Sequence, residues 1–412
     1  MDTYLNPVVT ETAESLSAPP VQENEQTRHG SHIIRGAKAR WIKRKFRFHI
    51  LKLAFKHYGV TKRAFNVLEK LGEKQKQVHG EGVFNKWVRA GGKYYYYQYA
   101  PGYPSRQLDE VLLEEMNRIE PVTETRRPLR FAFFAITKKC PLKCEHCFEW
   151  DNINKKEMLG YEDLRTIVSN LLDAGITQLH LSGGEPMLRV HELVKLSEEF
   201  SERMEIWVLT SGFNGTERNI LELKMAGVTG LVVSVDHYDR EKHDAFRRHT
   251  GSYDMALQAI QHARKAGMPV AVSVCATKEF CEEDNLDRYL EFMHQLDVSF
   301  IQLLEPRAVG GYAGKEVALE ETQLQRLTDF YEKVNFSSAY EKYPVVVYHG
   351  YYQRRVGCFL AGNRALYVDT NGGVTACPFC QNISGNLLKE PVLEVISKLK
   401  ERGCSSFGSS VV

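Results

Sequence analysis

Three cysteines lie close together in the chain, Cys140, Cys144 and Cys147, with the spacing C-x3-C-x2-C. Three thiolates on one short loop can bind three irons of a cubane iron-sulfur cluster. A structural zinc site is an alternative, but it normally has four ligands arranged in pairs, and no fourth cysteine lies nearby. Unused thiols are a second alternative. The spacing favours a cluster with one iron left open, which is typical of a reactive metal centre.

Four further cysteines form a second set toward the carboxyl terminus: Cys358, Cys377, Cys380 and Cys404. The residues TNGG at 370–373 are a hairpin-turn signal, which predicts that the chain returns to bring the first cysteine near the next two. Four thiolates can fully ligate a second cluster. A zinc ribbon or zinc knuckle could use the same four side chains.

The composition indicates the class of protein and the cellular compartment. Hydrophobic residues make up 43% of the 412 residues and charged residues 26%, which is ordinary globular usage and excludes a wholly disordered, collagenous or all-membrane chain. The longest apolar run, 131–136, is far too short to cross a bilayer. No basic segment followed by an apolar one precedes the body of the chain, so we predict a cytoplasmic protein with reduced thiols.

Alternating strand and helix patterns position the first cysteine loop. The strand-like segments are 129–136, 178–181, 205–209, 230–235, 269–276 and 300–304. The helical segments are 161–174, 188–202, 216–226, 253–266, 285–295 and 319–333. This alternation predicts a parallel sheet with right-handed crossovers, either a barrel or an open sheet. Chemistry in such folds belongs at the carboxyl ends of the strands, where the first cysteine loop begins.

Two segments, CPLKCEHCF and the LSGGEP of residues 181–186, resemble the radical S-adenosylmethionine (SAM) superfamily. The resemblance covers about residues 129–306 and implies a partial (β/α)6 TIM-like barrel. It also implies that SAM chelates the open iron of a [4Fe-4S] cluster and is cleaved reductively to a 5′-deoxyadenosyl radical, which abstracts a substrate hydrogen. An external one-electron donor is then required.

The resemblance also implies cofactor-binding residues at the strand ends. The expected set is Gly183, Gly184, Glu185, Pro186, Thr210, Ser211, Ser234, Asp236, Arg247 and His146. The two glycines would permit close backbone approach, and Arg247 would meet the SAM carboxylate. Alternatively, the hydroxyl and carboxylate residues of the third and fourth strands cap the following loops. No residue is assigned as the catalytic acid or base.

The second cysteine set resembles the auxiliary-cluster extensions called SPASM and twitch domains. Only four cysteines remain for it, which implies one auxiliary cluster, expected to be [4Fe-4S], as in the twitch type. Cys404 stands where relatives often have a further C-x2-C pair, and this chain instead continues with serines. The implied function is oxidation, cross-linking or tailoring of a peptide or small-molecule substrate. A non-catalytic iron-sulfur or zinc scaffold that senses redox state is the alternative.

Residues 35–76 differ in charge from the rest of the chain. They hold fourteen Lys or Arg against two Glu, a net charge of +12, whereas the whole chain carries +2. A capped helix is predicted from Thr61 with Gly72 as its stop, whereas 41–57 fits a helix or a strand equally. A hairpin is predicted over 83–99 and a helix over 107–119.

This basic region allows three interpretations. It is the solvated face of an accessory domain packed on the barrel, a peripheral contact with an anionic membrane surface, or an RNA-binding segment, of which nucleic acid is the least favoured. The predicted α/β chain thus has four parts: a disordered tail (1–30), a basic α+β accessory region (31–128), a radical SAM core (129–342) and a small cysteine-rich cluster domain (343–412).

Overall fold

The computed structural model describes residues 31–80, 82–122, 129–282, 284–404 and 407. The tail predicted for residues 1–30 lies outside them. The accessory region contains β1 (His32–Ile34), α1 (Gly36–Tyr58), α2 (Lys62–His79), β2 (Trp87–Ala90), β3 (Lys93–Tyr95) and α3 (Arg106–Ile119). Its three strands form a small antiparallel sheet.

The structure decides two points on which the accessory-region sequence was ambiguous or misleading. Residues 41–57 are helical within α1. The predicted stop of α2 at Gly72 is wrong, because the helix continues to His79 and ends at Gly80, which has a φ of +63°. A glycine inside a helix costs only about 1 kcal/mol, so Gly72 is tolerated there.

The central sheet confirms the predicted alternation. Its first six strands are β4 (Phe131–Ala135), β5 (Gln178–Ser182), β6 (Glu205–Thr210), β7 (Gly230–Ser234), β8 (Val270–Cys275) and β9 (Phe300–Leu304). The accompanying helices are α4 (Tyr161–Asp173), α5 (Val190–Phe200), α6 (Glu217–Met225), α7 (Arg240–Arg247), α8 (Ser252–Lys265), α9 (Asn285–Gln295) and α10 (Glu321–Phe336). The strands are parallel and in sequential order, and the helices bury apolar stripes. The fold class, a partial TIM-like barrel, is confirmed.

The chain after residue 343 adds strands to both sides of this sheet. It contains β10 (Val345–Tyr348), α11 (His349–Val356), β11 (Ala365–Val368), β12 (Gly373–Thr375), β13 (Gly385–Asn386) and α12 (Val392–Arg402). β10 pairs in parallel with β9, and β11 pairs in parallel with β4. The last two strands continue the ten-stranded sheet in antiparallel fashion. The division of the chain into four domains stays a prediction.

The accessory region packs against the amino end of the parallel strands. Tyr95 and Tyr99 belong to the same buried cluster as Trp207 and Phe300, whose side chains come from β6 and β9. At the first residue of β6, the buried carboxylate of Glu205 accepts hydrogen bonds from Lys93 Nζ (2.9 Å), the Gly102 amide (3.0 Å) and the Tyr95 hydroxyl (3.3 Å). The hairpin region therefore forms the floor of the barrel.

Within the described residues, none of the helices has both the length and the apolar character needed to cross a bilayer.

Candidate functional site

A single cavity of about 570 Å³ opens at the carboxyl ends of the parallel strands. It is lined by residues of both cysteine sets: Cys140, Cys144, Cys147, Cys358, Cys377, Cys380 and Cys404. The ten strand-end residues named from the sequence line it as well, with the exception of Pro186, which is buried behind Glu185. The fold thus brings together two cysteine groups that are about 200 residues apart in the chain.

Side chains outside the cysteine motif fix the first cysteine loop. The Cys140 amide donates to Asn154 Oδ1 (3.1 Å), and Asn154 Nδ2 donates to the Cys140 carbonyl (2.9 Å). Glu157 Oε1 accepts from the amide of Lys138 at 2.6 Å, and the Cys147 carbonyl accepts from the Gly311 amide at 2.9 Å. Sequence reasoning missed these anchors because each is a common loop residue in a separate turn.

Of the three thiols, that of Cys144 is buried, and those of Cys140 and Cys147 are half-buried beside it. Burial, with the nearby Glu185 and Cys144, raises the pKa of Cys140 to about 12. Burial and Cys144 likewise raise the pKa of Cys147 to about 12. Neighbouring buried thiols resist ionisation unless a cationic group compensates the thiolates, and metal coordination does so outright. The donor set therefore fits an iron-sulfur cluster.

The Gly-Gly turn after β5 packs against this loop. Gly183 has a φ of +139°, and a Cβ there would lie 2.6 Å from the Thr137 carbonyl oxygen. A Cβ on Gly184 would lie 2.2 Å from the Lys139 carbonyl oxygen. Amides of Gly184 and Glu185 donate to those same two carbonyls, both at 2.7 Å. In this structure the glycines provide close approach between the turn and the cysteine loop.

Glu185 organises the ends of two strands. One carboxylate oxygen accepts from the Thr210 hydroxyl (2.7 Å) and the Met187 amide (3.0 Å). The other accepts from the Ser211 hydroxyl (2.6 Å) and amide (2.8 Å). Burial nevertheless raises the pKa of Glu185 above its ordinary value. The Thr210 hydroxyl also accepts a hydrogen bond from the Gly212 amide at 2.9 Å, so the same group caps the loop and positions Glu185.

Arg247 connects the fourth strand end to the first cysteine loop. Its Nε donates to Asp236 Oδ2 at 2.6 Å, and its Nη1 lies 3.5 Å from Cys144 Sγ. Asp236 Oδ1 accepts from the Cys275 amide at 2.9 Å. Burial opposes ionisation of this pair, but the opposite charges hold the pKa of Asp236 below its ordinary value. Ser234 lies beside them, with its hydroxyl 3.3 Å from that of Ser273.

His146 is held by a ring contact. Its imidazole stacks on Phe246, with centroids 4.7 Å apart and planes inclined by 18°. Burial lowers the pKa of His146 to about 4, so the ring is neutral near pH 7. The Glu145 amide also donates to the Phe246 carbonyl at 3.1 Å. The end of α7, which sequence reasoning did not predict as a helix, therefore braces the cysteine loop: Phe246 and Arg247 contact the consecutive residues 144–146.

The second cysteine set is brought together by the β11–β12 hairpin and the end of α12. The Cys380 amide donates to the Cys377 carbonyl at 3.0 Å, which forms a tight turn. Burial and the nearby Cys404 and Cys377 thiols raise the pKa of Cys358. Burial, with Cys380 and Cys404 close by, raises the pKa of Cys377 to about 11. The Cys377 thiol is therefore close to the other three thiols of the set.

Within the described ranges, no three His, Cys, Asp or Glu side chains converge closely enough to hold a single metal ion.

Among the cavity-lining residues that were not identified from the sequence are Tyr99 from the accessory region, Gln302 from β9 and His349 at the start of α11. The Tyr99 and His349 rings lie 4.9 Å apart, and burial lowers the pKa of His349 to about 4. The cavity floor therefore offers neutral hydrogen-bonding groups.

Comparison with known proteins identifies the class. Residues 134–284 match the family model described as the Radical SAM superfamily. The chain is 29% identical over 182 residues to GTP 3′,8-cyclase 2 of Pseudomonas aeruginosa, covering 43% of this chain and 54% of that protein. It is 32% identical over 171 residues to GTP 3′,8-cyclase of Mesorhizobium japonicum, covering 40% and 50%. Residues 134–284 are therefore a radical SAM domain, a class that uses a [4Fe-4S] cluster and SAM.

Solved structures extend the similarity beyond that domain. Streptococcus suis SuiB bound to S-adenosylmethionine has a TM-score of 0.55 at 15% identity, covering 71% of each chain. An anSMEcpe structure with bound AdoMet has a TM-score of 0.53 at 17% identity, covering 66% of this chain and 82% of that one. These values confirm the fold. The chain spans about half the length of the curated relatives that it matches.

Proposed function

We propose that this chain is a radical SAM enzyme in which Cys140, Cys144 and Cys147 hold the [4Fe-4S] cluster that binds SAM. The supporting observation is the shared cavity, where buried thiols, the Glu185 turn and the Arg247–Asp236 pair converge at the strand ends. When bound, the cluster and SAM supply reductive cleavage of the sulfonium and hydrogen abstraction from the substrate. The chain's own residues position the cofactor and exclude water.

Each strand end has a distinct part in this proposal. The turn at Gly183 and Gly184 leaves backbone groups beside the cysteine loop, where the SAM amino group would lie. Thr210 and Ser211 hold the Glu185 carboxylate, which fixes that turn. Arg247 retains further guanidinium donors beyond those used on Asp236 and Cys144, and these suit a carboxylate. His146 and Ser234 complete the proposed cofactor contacts.

We further propose that Cys358, Cys377, Cys380 and Cys404 hold one auxiliary [4Fe-4S] cluster, because four cysteines can ligate such a cluster completely. Its position on the same cavity as the first set would place a substrate between two redox centres. The auxiliary cluster would accept an electron from the substrate or anchor it. An external one-electron donor is a required partner.

The substrate is proposed to be a peptide or an uncharged small molecule, in spite of the relatives named for GTP. Among the described residues that line the cavity, the arginines are Arg247 and Arg307. Arg247 faces Asp236 at 2.6 Å, and Arg307 faces Glu305 at 3.2 Å. A triphosphate needs several unpaired cations, which this lining lacks. The neutral groups of Tyr99, Gln302 and His349 suit amides or hydroxyls instead.

One of the similar solved structures supports the peptide alternative. It is SuiB bound to precursor peptide SuiA, with a TM-score of 0.52 at 14% identity, covering 70% of this chain and 69% of that one. Residues 35–76 are proposed as a contact for an anionic surface, and the compartment is proposed to be the cytoplasm.

The decisive experiment is anaerobic incubation of the reconstituted protein with SAM and dithionite. We expect 5′-deoxyadenosine above the level formed by a Cys144→Ala variant, and no stimulation by added GTP. Formation no greater than that of the variant would contradict the enzyme proposal and favour the alternative of a redox-sensing scaffold. Stimulation by GTP would overturn the substrate proposal while leaving the radical SAM proposal intact.

A further inference from the structure

The outer face of α1 is exposed and carries five basic side chains and two aromatic ones. It is formed by residues that recur every three or four positions: Lys38, Trp41, Arg44, Lys45, Phe48, Lys52 and Lys56. Such spacing places side chains on one side of a helix. The opposite side buries Ala39, Ile42, Leu53 and Ala54 against the accessory region. The outer face is therefore free of the packing that holds the helix in place.

Two large aromatic side chains project from this face. Trp41 is 50% exposed and Phe48 is 67% exposed. The residues lie seven positions apart, about 10 Å along the helix axis. Lys45 lies between them, with Nζ 3.8 Å from the centroid of a Trp41 ring. Exposed apolar groups of this size, rimmed by polar residues, indicate an interaction site.

Among the described residues, no Asp or Glu forms an ion pair with Lys38, Arg44, Lys45, Lys52 or Lys56 of this face. α1 contains no Asp or Glu, and its ion pair among the described residues joins His49, at the edge of this face, to Asp109 at 2.6 Å. Most basic residues of the barrel surface are paired, as in Lys265 with Glu217 and Lys333 with Asp287. The unpaired charge of α1 is thus available to an anionic partner.

We infer that the outer face of α1 docks on an anionic membrane surface. A helix that lies on a bilayer has aromatic side chains that enter the boundary between headgroups and acyl chains, with Lys and Arg meeting the headgroups. Here Trp41 and Phe48 are the aromatic side chains that would enter the boundary, and the five flanking cations would meet the headgroups. Single-stranded nucleic acid is normally held in a charged groove with stacking platforms. The convex helix side favours a flat bilayer.

This inference rests on the proposed anionic-surface contact of residues 35–76 and is independent of the proposed radical SAM chemistry, because α1 lies in the accessory region and contributes no residue to the cavity. It predicts a peripheral protein whose cavity chemistry is unchanged by release from the membrane.

The test is co-sedimentation of the full-length protein with phosphatidylcholine vesicles that contain or lack phosphatidylserine. We expect pelleting only with phosphatidylserine, weakening as salt is raised. The double variants Trp41→Ala/Phe48→Ala and Lys45→Glu/Lys52→Glu should each weaken partitioning at least tenfold. All four side chains are on the exposed face, and circular dichroism and SAM cleavage should match the wild type.

Matched controls separate this face from general charge and hydrophobicity. Lys342→Glu/Lys389→Glu makes the same change of charge at two exposed positions elsewhere. Leu221→Ala/Met225→Ala removes two exposed apolar side chains of α6. Both controls should bind as the wild type does. Equal loss in the controls, or pelleting that ignores phosphatidylserine, would overturn the inference. Tighter binding to poly(U) RNA than to the vesicles would indicate that this face binds nucleic acid, and would also overturn the inference.

Discussion

The two ends of the parallel sheet are built in opposite ways. At the amino end, the accessory region fills the barrel with Tyr95 and Tyr99 and directs three hydrogen-bond donors at Glu205 Oε1. At the carboxyl end, the same strands surround a cavity lined by eight cysteines, the seven of the two sets and Cys275. Side chains at the amino end serve mainly stability, whereas the opposite end is left open for chemistry. Substitutions at the two ends should therefore have separable effects.

The largest effect is expected from Cys147→Ser at the carboxyl end. Loss of one of three proposed iron ligands should remove the first cluster and reduce 5′-deoxyadenosine to background. The denaturant midpoint of the apoprotein should change little, because the thiol contributes no described structural contact beyond its loop. Full SAM cleavage in the variant, measured by chromatography, would contradict the assignment of this residue as a ligand.

A partial effect is expected from Cys380→Ala in the second set. Loss of one of two proposed clusters should lower bound iron by about half, because each cluster is held by its own cysteines. SAM cleavage should continue while turnover of a true substrate stops. Iron analysis with electron paramagnetic resonance measures this. Unchanged iron content would count against an auxiliary cluster at this site.

At the amino end, Glu205→Ala should destabilise the fold without abolishing SAM cleavage. Removal of the buried carboxylate leaves Lys93 and the Gly102 amide without their partner, at a cost of about 3 kcal/mol in the free energy of unfolding. Glu205→Gln is the matched variant, and should cost less because its amide oxygen still accepts hydrogen bonds. Urea unfolding distinguishes the two variants. Equal stability of Glu205→Ala and the wild type would show that the hydrogen bonds of the barrel floor contribute little to the free energy of unfolding.

Lys86 should make stability depend on pH at this same end. Its ammonium is buried and donates to the carbonyls of Val334 (2.7 Å) and Tyr340 (3.0 Å), and burial lowers the pKa of Lys86 to about 7. Between that value and the ordinary 10.5, the unfolded chain binds the proton more readily than the folded one. The free energy of unfolding should therefore rise with pH across this window, by up to about 1.4 kcal/mol per unit.

The Lys86→Met variant tests this dependence. Its slope of unfolding free energy against pH, between neutral and alkaline conditions, should be shallower than that of the wild type. Parallel slopes would mean that Lys86 stays charged in the folded protein.

The smallest effect is expected from Arg247→Lys at the carboxyl end. A cation that donates to a cluster-binding sulfur stabilises the reduced state, and a shorter lysine should keep the charge near Asp236 but lose the contact with Cys144. We expect the midpoint potential of the first cluster to fall by a few tens of millivolts in a redox titration. Arg248→Lys, at the next residue in the chain, is the control. An equal shift of the midpoint potential in that variant would show that Arg247 has no specific role.

The strand positions were predictable because each buried strand is a short run of apolar residues with a helix pattern after it. The cysteine motif and the Gly-Gly-Glu-Pro turn were equally visible, since their ligands and turns are local in sequence. α7 was missed, because its eight mostly charged residues are stabilised by the Asp239 cap and by burial of His243 and Arg247. β10 was missed because its apolar run follows a region that was assigned to a different domain.

The sequence by itself thus determined the alternating sheet, the two cysteine sets and the basic segment, because spacing and charge are properties of neighbours in the chain. Only the tertiary structure decided that both sets share one cavity, that Tyr99 closes its floor and that Trp41 and Phe48 face outward. Those outcomes depend on contacts between residues far apart in the chain, whose free energies arise only when the sheet and helices pack together.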